Sequence, residues 1–170
     1  MKTIFLLFCI IFSLHAIQIG KKPKEITISG ENGGYVKDNK AWNSNMIQGK
    51  VFVMFYVDPD EKDKNEHFAQ ALKKRHFDRD KYASIAIVNM AATWKPNFII
   101  ESILESKQKE FTDTIYVKDK KSVLVNGWNL ADNESDILIF DKDGKVLFYK
   151  AGKMTQDDVK KAISIIEEHL

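Results

Sequence analysis

Two near-continuous apolar runs, separated by one helix-length amphipathic stretch, constrain this chain more than any other feature. Val51-Phe52-Val53-Met54-Phe55-Tyr56-Val57 opens after Gly49-Lys50 and stops at Asp58-Pro59-Asp60, and Tyr82 to Met90 reads in the same way. A run that is apolar at almost every position suits a strand covered on both faces, as strands of parallel sheets are. Between the runs, Lys64 to Phe77 places Phe68, Ala69, Ala71, Leu72 and Phe77 mostly at helical spacing. Lysine and arginine gather near its end, where cations complement the helix dipole. Strand, helix and strand in that order make a right-handed crossover, which lays both strands parallel in one sheet.

The flanking sequence extends this unit. Ile26-Thr27-Ile28, then the turn cluster Gly30-Glu31-Asn32-Gly33-Gly34, then Tyr35-Val36 predict an N-terminal β-hairpin. Asn97 to Lys109 predicts a core-facing helix, with Phe98, Ile99, Ile100, Ile103 and Leu104 clustered towards one side, and Ile115 to Val117 a short strand. Asp136 to Phe140 and Lys145 to Tyr149 flank Asp141-Lys142-Asp143-Gly144, a hairpin signal because Asp and Gly tolerate positive φ. Thr155, with Asp158 three residues on, caps a last helix whose stripe is Val159, Ala162, Ile163 and Ile166. The expected class is α/β: a mixed central sheet flanked by helices in three layers, preceded by a hairpin.

The N-terminus reads as a separate unit. Lys2 precedes the apolar run Ile4 to Phe12, and Ser13-Leu14-His15-Ala16 ends on a small residue, the order of a secretory signal peptide over residues 1–16. A bilayer-spanning helix needs about 20 apolar residues, roughly twice this run, so no stable membrane insertion is expected after cleavage. One domain is expected over residues 17–170. The single cysteine, Cys9, lies in the leader, so the mature chain carries no thiol in a compartment where small domains often use disulfides. The net charge is only +2, with both signs mixed along the chain, which gives no electrostatic case for nucleic acid or an anionic membrane surface.

The ordered βαβ unit, β-hairpin and closing helix look like the thioredoxin fold. More narrowly, the chain resembles the YtfJ family of bacterial periplasmic proteins. The residues that carry the resemblance are Trp42-Asn43-Ser44 leading into Gly49-Lys50-Val51, then Phe77-Asp78-Arg79-Asp80-Lys81-Tyr82, Trp128-Asn129-Leu130, and Asp141-Lys142-Asp143-Gly144 with Val146 and Phe148. The resemblance implies a fold and a periplasmic location, and no established reaction.

In a thioredoxin oxidoreductase the Cys-x-x-Cys lies after the first buried strand of the crossover, and here that place is Val57 to Lys64. Peroxiredoxins also place their reactive cysteine just beyond that strand. The cis-proline position before the hairpin strand is occupied by Glu134-Ser135-Asp136. Thiol–disulfide exchange and thiol peroxidase chemistry therefore lack their nucleophile. Other chemistry has little support. His67, His76 and His169 lack metal-site spacing, the glycine cluster at 30–34 lacks dinucleotide or phosphate-loop spacing, and Ser44 and Ser135 sit in no nucleophile elbow. No cofactor is expected.

What remains is an acidic pair of loops. Asp58, Asp60, Glu61 and Asp63 follow the first central strand, and Asp132, Glu134 and Asp136 precede the hairpin strand. The thioredoxin-like arrangement would bring them side by side. Hard cations want several carboxylate oxygens at one point, which makes Asp58, Asp60, Glu134 and Asp136 the speculative metal set, although Lys62 and Lys64 interleave the first group. The same loops, with Ser135 and the tryptophan of the loop Ala91 to Pro96, Trp94, are the candidate partner surface. Trp42 and Trp128, beside apolar strands, read as core. The function expected is a non-redox binding or accessory module, with a periplasmic protein as partner. The alternative is an enzyme using thiol-independent, metal-assisted chemistry at the acidic loops.

Overall fold

The computed structural model describes residues 16–170. Cys9 and nearly all of the expected leader thus lie outside the described residues. The amide of Ile17 donates to the carbonyl of Trp128 at 3.2 Å.

The crossover forms as its sequence requires. Strand β4 (Val51–Val57), helix α1 (Glu66–Arg75) and strand β5 (Tyr82–Asn89) leave β4 and β5 parallel, paired from Val51↔Tyr82 to Val57↔Val88. Helix α2 (Asn97–Glu110) leads to β6 (Thr114–Asp119), which pairs parallel with β5 on its other side. After the short helix α3 (Val123–Trp128), the hairpin of β7 (Ser135–Phe140) and β8 (Val146–Lys150) closes the sheet antiparallel to β4, and α4 (Gln156–His169) ends the chain. The order across the six-stranded sheet is β2-β6-β5-β4-β7-β8, with β2 (Gly33–Tyr35) antiparallel to β6.

Alternation along the strands sends side chains to two cores. Phe52, Met54, Tyr56, Leu138 and Phe140 face Trp42, Leu124 and Trp128 under α3, whereas Val51, Val53, Ile137 and Ile139 face Phe68, Leu72, Val159, Ala162, Ile163 and Ile166 from α1 and α4. This makes the three expected layers. Trp42 and Trp128 are core residues, and the Trp128 indole N–H donates to the carbonyl of Lys24 at 2.7 Å. Thr155 and Asp158 form the reciprocal cap of α4.

The N-terminal hairpin does not form. Strand β1 (Thr27–Ile28) pairs instead with β3 (Trp42–Asn43) in a separate two-stranded sheet, and β2 leaves to edge the main sheet. The glycines decide this. Gly33 has φ +124°, and a Cβ there would stand 1.9 Å from the carbonyl oxygen of Lys118, so only glycine lets β2 lie against β6. A second difference concerns α2: Ile100 and Leu104 face the core with Val36 and Met90, but Phe98, Ile99 and Ile103 are exposed. At the far edge of the sheet, the amide of Gly20 donates to the carbonyl of Val146 at 2.7 Å and the amide of Val146 donates to that of Lys21 at 3.0 Å.

Candidate functional site at the ends of the parallel strands

Parallel strands that end together bring their following loops together, which is where open α/β sheets usually carry function. Here Asp58 directly follows β4, and β5 and β6 end at Asn89 and Asp119. All three side chains are buried.

Asp58 opens the turn Pro59–Glu61 and its Oδ1 accepts from the amide of Asp60 at 2.8 Å. Burial pushes its carboxyl above the usual carboxylate range, opposed by that amide and reinforced by Asp60, Glu61 and Asp132. Asn89 donates to Asp132 at 3.2 Å and accepts from the hydroxyl of Ser122 at 2.9 Å. Asp119 accepts from the amides of Val123 and Leu124 at 2.9 and 3.1 Å, capping α3, and from the hydroxyl of Tyr56 at 3.1 Å. Burial first, then Asp119, moves the Tyr56 phenol well above its ordinary range.

The two acidic loops do meet. The amide of Asp58 donates to the carbonyl of Glu134 at 3.0 Å, and Lys64 lies between Glu61 and Glu134 at 2.9 and 2.6 Å. The hydrogen bonds that Lys64 donates to Glu134 and Glu61 hold its ammonium above its ordinary value. Beneath them, buried Asn65 donates to the carbonyls of Ser135 and Gly152 and to the Ser135 hydroxyl, and accepts from the amide of Met154 at 2.9 Å. Asn65 thereby ties the start of α1 to β7 and to the segment after β8.

The expected surface set divides on this geometry. Asp58, Ser135 and Asp136 are buried and cannot face a partner, which corrects the expectation that placed them on the contact surface. The reason is strand register: Val57 pairs with Ser135 and Tyr56 with Asp136, so the hairpin strand begins inside the sheet. Asp136 is 0% exposed; its Oδ2 accepts from the amide of Ala131 at 2.9 Å and its Oδ1 has no partner among the described residues. Burial pushes this carboxyl up to about 7, with a smaller push from Glu134 and an opposing pull from the Ala131 amide. Asp60 and Glu134 are each engaged by a lysine, and among the described residues no three His, Cys, Asp or Glu side chains gather as a metal ligand set.

Asp60 also fastens the next loop. The hydroxyl of Thr93 donates to its Oδ2 at 2.7 Å and the Lys95 ammonium pairs with its Oδ1, which together hold the carboxyl below its ordinary range. Trp94, between those two anchors, is 87% exposed. Asn65, Asn89 and Asp119 were missed in the sequence reading. Asp119-Lys120-Lys121-Ser122 ahead of Val123 is a helix-start signal that could have revealed the last of them.

The sequence pattern of a family described as a bacterial protein of unknown function (YtfJ_HI0045) matches residues 14–169. The chain is 28% identical over 182 aligned residues to the uncharacterised protein YtfJ of Escherichia coli strain K12, spanning 100% of this chain and 98% of that protein. It is 30% identical over 179 residues to an uncharacterised protein of Haemophilus influenzae, spanning 97% and 96%. Among solved structures it resembles the exposed lipoprotein thioredoxin of Streptococcus pneumoniae strain TIGR4, with a TM-score of 0.55 at 14% identity, covering 83% of this chain and 98% of that one. The fold is thioredoxin-like.

Proposed function

We propose that this chain, which belongs to the bacterial family YtfJ_HI0045, is an exported, non-redox binding or accessory module on a thioredoxin-like scaffold. The observation that carries the proposal is the turn after β4. Where the fold's oxidoreductases hold their thiols, this chain has Asp58-Pro59-Asp60-Glu61, closed by a backbone-accepting aspartate and pinned to the Trp94 loop through Asp60. A carboxylate turn cannot attack a disulfide, and its carboxylates are taken up by the Asp60 amide, Thr93, Lys95 and Lys64 rather than converging on an open reacting centre. The leader supports export to the periplasm, with another protein of that compartment, and not nucleic acid, as partner.

Two measurements test this reading. Protein starting at Ile17, and so lacking Cys9, should reduce or isomerise no disulfide and turn over no peroxide above a buffer control; sustained turnover after removal of contaminating oxidoreductases would overturn it. Intact mass of the protein recovered from the native envelope should place its first residue near Ile17, and retention of Met1 in a membrane-bound form would refute export with cleavage.

A further inference from the structure

The chain holds two Asn-Gly pairs, Asn32-Gly33 and Asn126-Gly127. In such a pair the next backbone nitrogen can reach the carbon of the asparagine carboxamide, because glycine brings no side chain to hinder the approach and turns freely. The fold treats the two pairs differently. Asn126 lies within α3, where its backbone amide donates to the carbonyl of Ser122 at 3.0 Å and its carboxamide donates to that same carbonyl at 2.9 Å and to that of Lys121 at 3.4 Å. These bonds turn the carboxamide back towards the preceding turn, away from the Gly127 nitrogen. Asn32 instead ends the three-residue turn Gly30–Asn32, whose residues are all exposed, and no hydrogen bond holds its carboxamide among the described residues. The Gly33 amide donates to the carbonyl of Gly30 within the same turn. A turn of this length opens locally at lower cost than a helix seated on the core. Nor can the pair be broken up by a larger residue at 33, since β2 needs bare backbone against the Lys118 carbonyl.

We propose that Asn32 is a self-modification site, at which the chain's own backbone and water convert the carboxamide into aspartate and isoaspartate and so release the β2 edge of the sheet. The Gly33 nitrogen loses its proton to a base in solvent and bonds to Cγ of Asn32; the bond from Cγ to the carboxamide nitrogen breaks, and that nitrogen takes up a proton and leaves as ammonia. The product is a five-membered cyclic imide. Water then opens it at one of two carbonyls: addition at Cγ leaves an ordinary aspartate, and addition at the main-chain carbonyl leaves isoaspartate, with the chain now running through Cγ. Nothing is oxidised or reduced. Isoaspartate adds a methylene to the main chain just before Gly33, which is the register partner of Asp119, and it turns the carbonyl that receives the Lys120 amide at 2.8 Å into a free carboxylate. A strand of three residues has no further pairs with which to absorb that shift.

The test is ageing followed by peptide mapping. The full chain is held folded at mildly alkaline pH in water enriched in heavy oxygen, and in parallel in concentrated urea, and both asparagines are followed by mass spectrometry with separation of the aspartate and isoaspartate forms. In the folded protein Asn32 should convert at least about tenfold faster than Asn126, the difference being set by local opening, and each product should carry one heavy oxygen. In urea the two should convert at comparable rates, which assigns the difference to the fold rather than to neighbouring residues. The isoaspartate fraction should exchange its amides faster from Val117 to Asp119, while the N32S variant, aged alongside, should keep the exchange pattern of fresh protein. Comparable conversion of Asn32 and Asn126 in the folded chain would overturn the proposal, as would an Asn32 that stays intact while both react in urea. Unaltered exchange in the isoaspartate fraction, or equal loosening in aged N32S, would overturn the release of β2.

Discussion

Asp136 carries the largest pH signature among the carboxyl groups described. Its ordinary value of 3.8 is pushed up to about 7 by burial, so the native state holds the neutral acid where an unfolded chain would hold the carboxylate. The fold has full benefit from this group below about pH 4, and loses it as pH climbs through 7. A displacement of this size corresponds to on the order of 4 kcal/mol. Urea midpoints should therefore fall between pH 5 and pH 8, and Asp136→Asn should flatten most of that fall while keeping an oxygen for the Ala131 amide. Asp58, raised in the same direction, leaves a residual slope. An unchanged slope in the Asn variant would assign the pH response elsewhere. Replacing Asp58, Asp60, Glu134 and Asp136 together by alanine is consequently expected to lower the melting temperature, since the variant strips the buried turn acceptor at Asp58. None of this was visible in the sequence, where Asp58 and Asp136 look like members of two solvated acidic loops. Burial at those positions follows from the register of β4 against β7, a pairing some 80 residues apart in the chain.

Elements divide by how local their signals are. The crossover, the Asp141–Gly144 hairpin and the α4 cap were legible because apolar period, turn chemistry and capping residues all sit within a few positions of one another. The first hairpin was misread because Gly33 and Gly34 look like turn residues, while their actual role is to allow close approach to a strand far along the chain. Gly33→Ala tests this. A Cβ meeting the Lys118 carbonyl at a positive φ should cost on the order of 2 kcal/mol or more, and amide exchange should rise selectively from Val117 to Asp119 as β2 detaches. A variant with the exchange pattern of the unaltered protein would mean that β2 contributes nothing to the edge. At α2 the sequence showed five apolar residues but not their division, because the core needs only the two that meet Val36 and Met90.

Across the whole molecule, Asn65 is the tie between the layers, bonding the start of α1 to β7 and to the segment after β8. Asn65→Ala should cost on the order of 2–4 kcal/mol, read as a lowered denaturation midpoint, because it leaves several buried backbone groups without partners. Trp94→Ala, by contrast, should leave that midpoint nearly unchanged. The sequence conveyed the layers and their order, yet not this tie, since a lone asparagine before a helix reads only as a cap. The two ends of the sheet carry a further consequence. Open strand edges are templates on which other molecules add by main-chain pairing. One edge here ends in a three-residue strand with two glycines, too short and too bare to recruit a neighbour, and the other is shielded at its first residue by the Gly20–Lys21 segment, with Lys145 and Lys150 at either end. A chain trimmed to begin at Lys22 would keep the Lys24 carbonyl that receives the Trp128 indole N–H but lose that shield, and should scatter light and bind thioflavin on standing while the untrimmed protein stays clear.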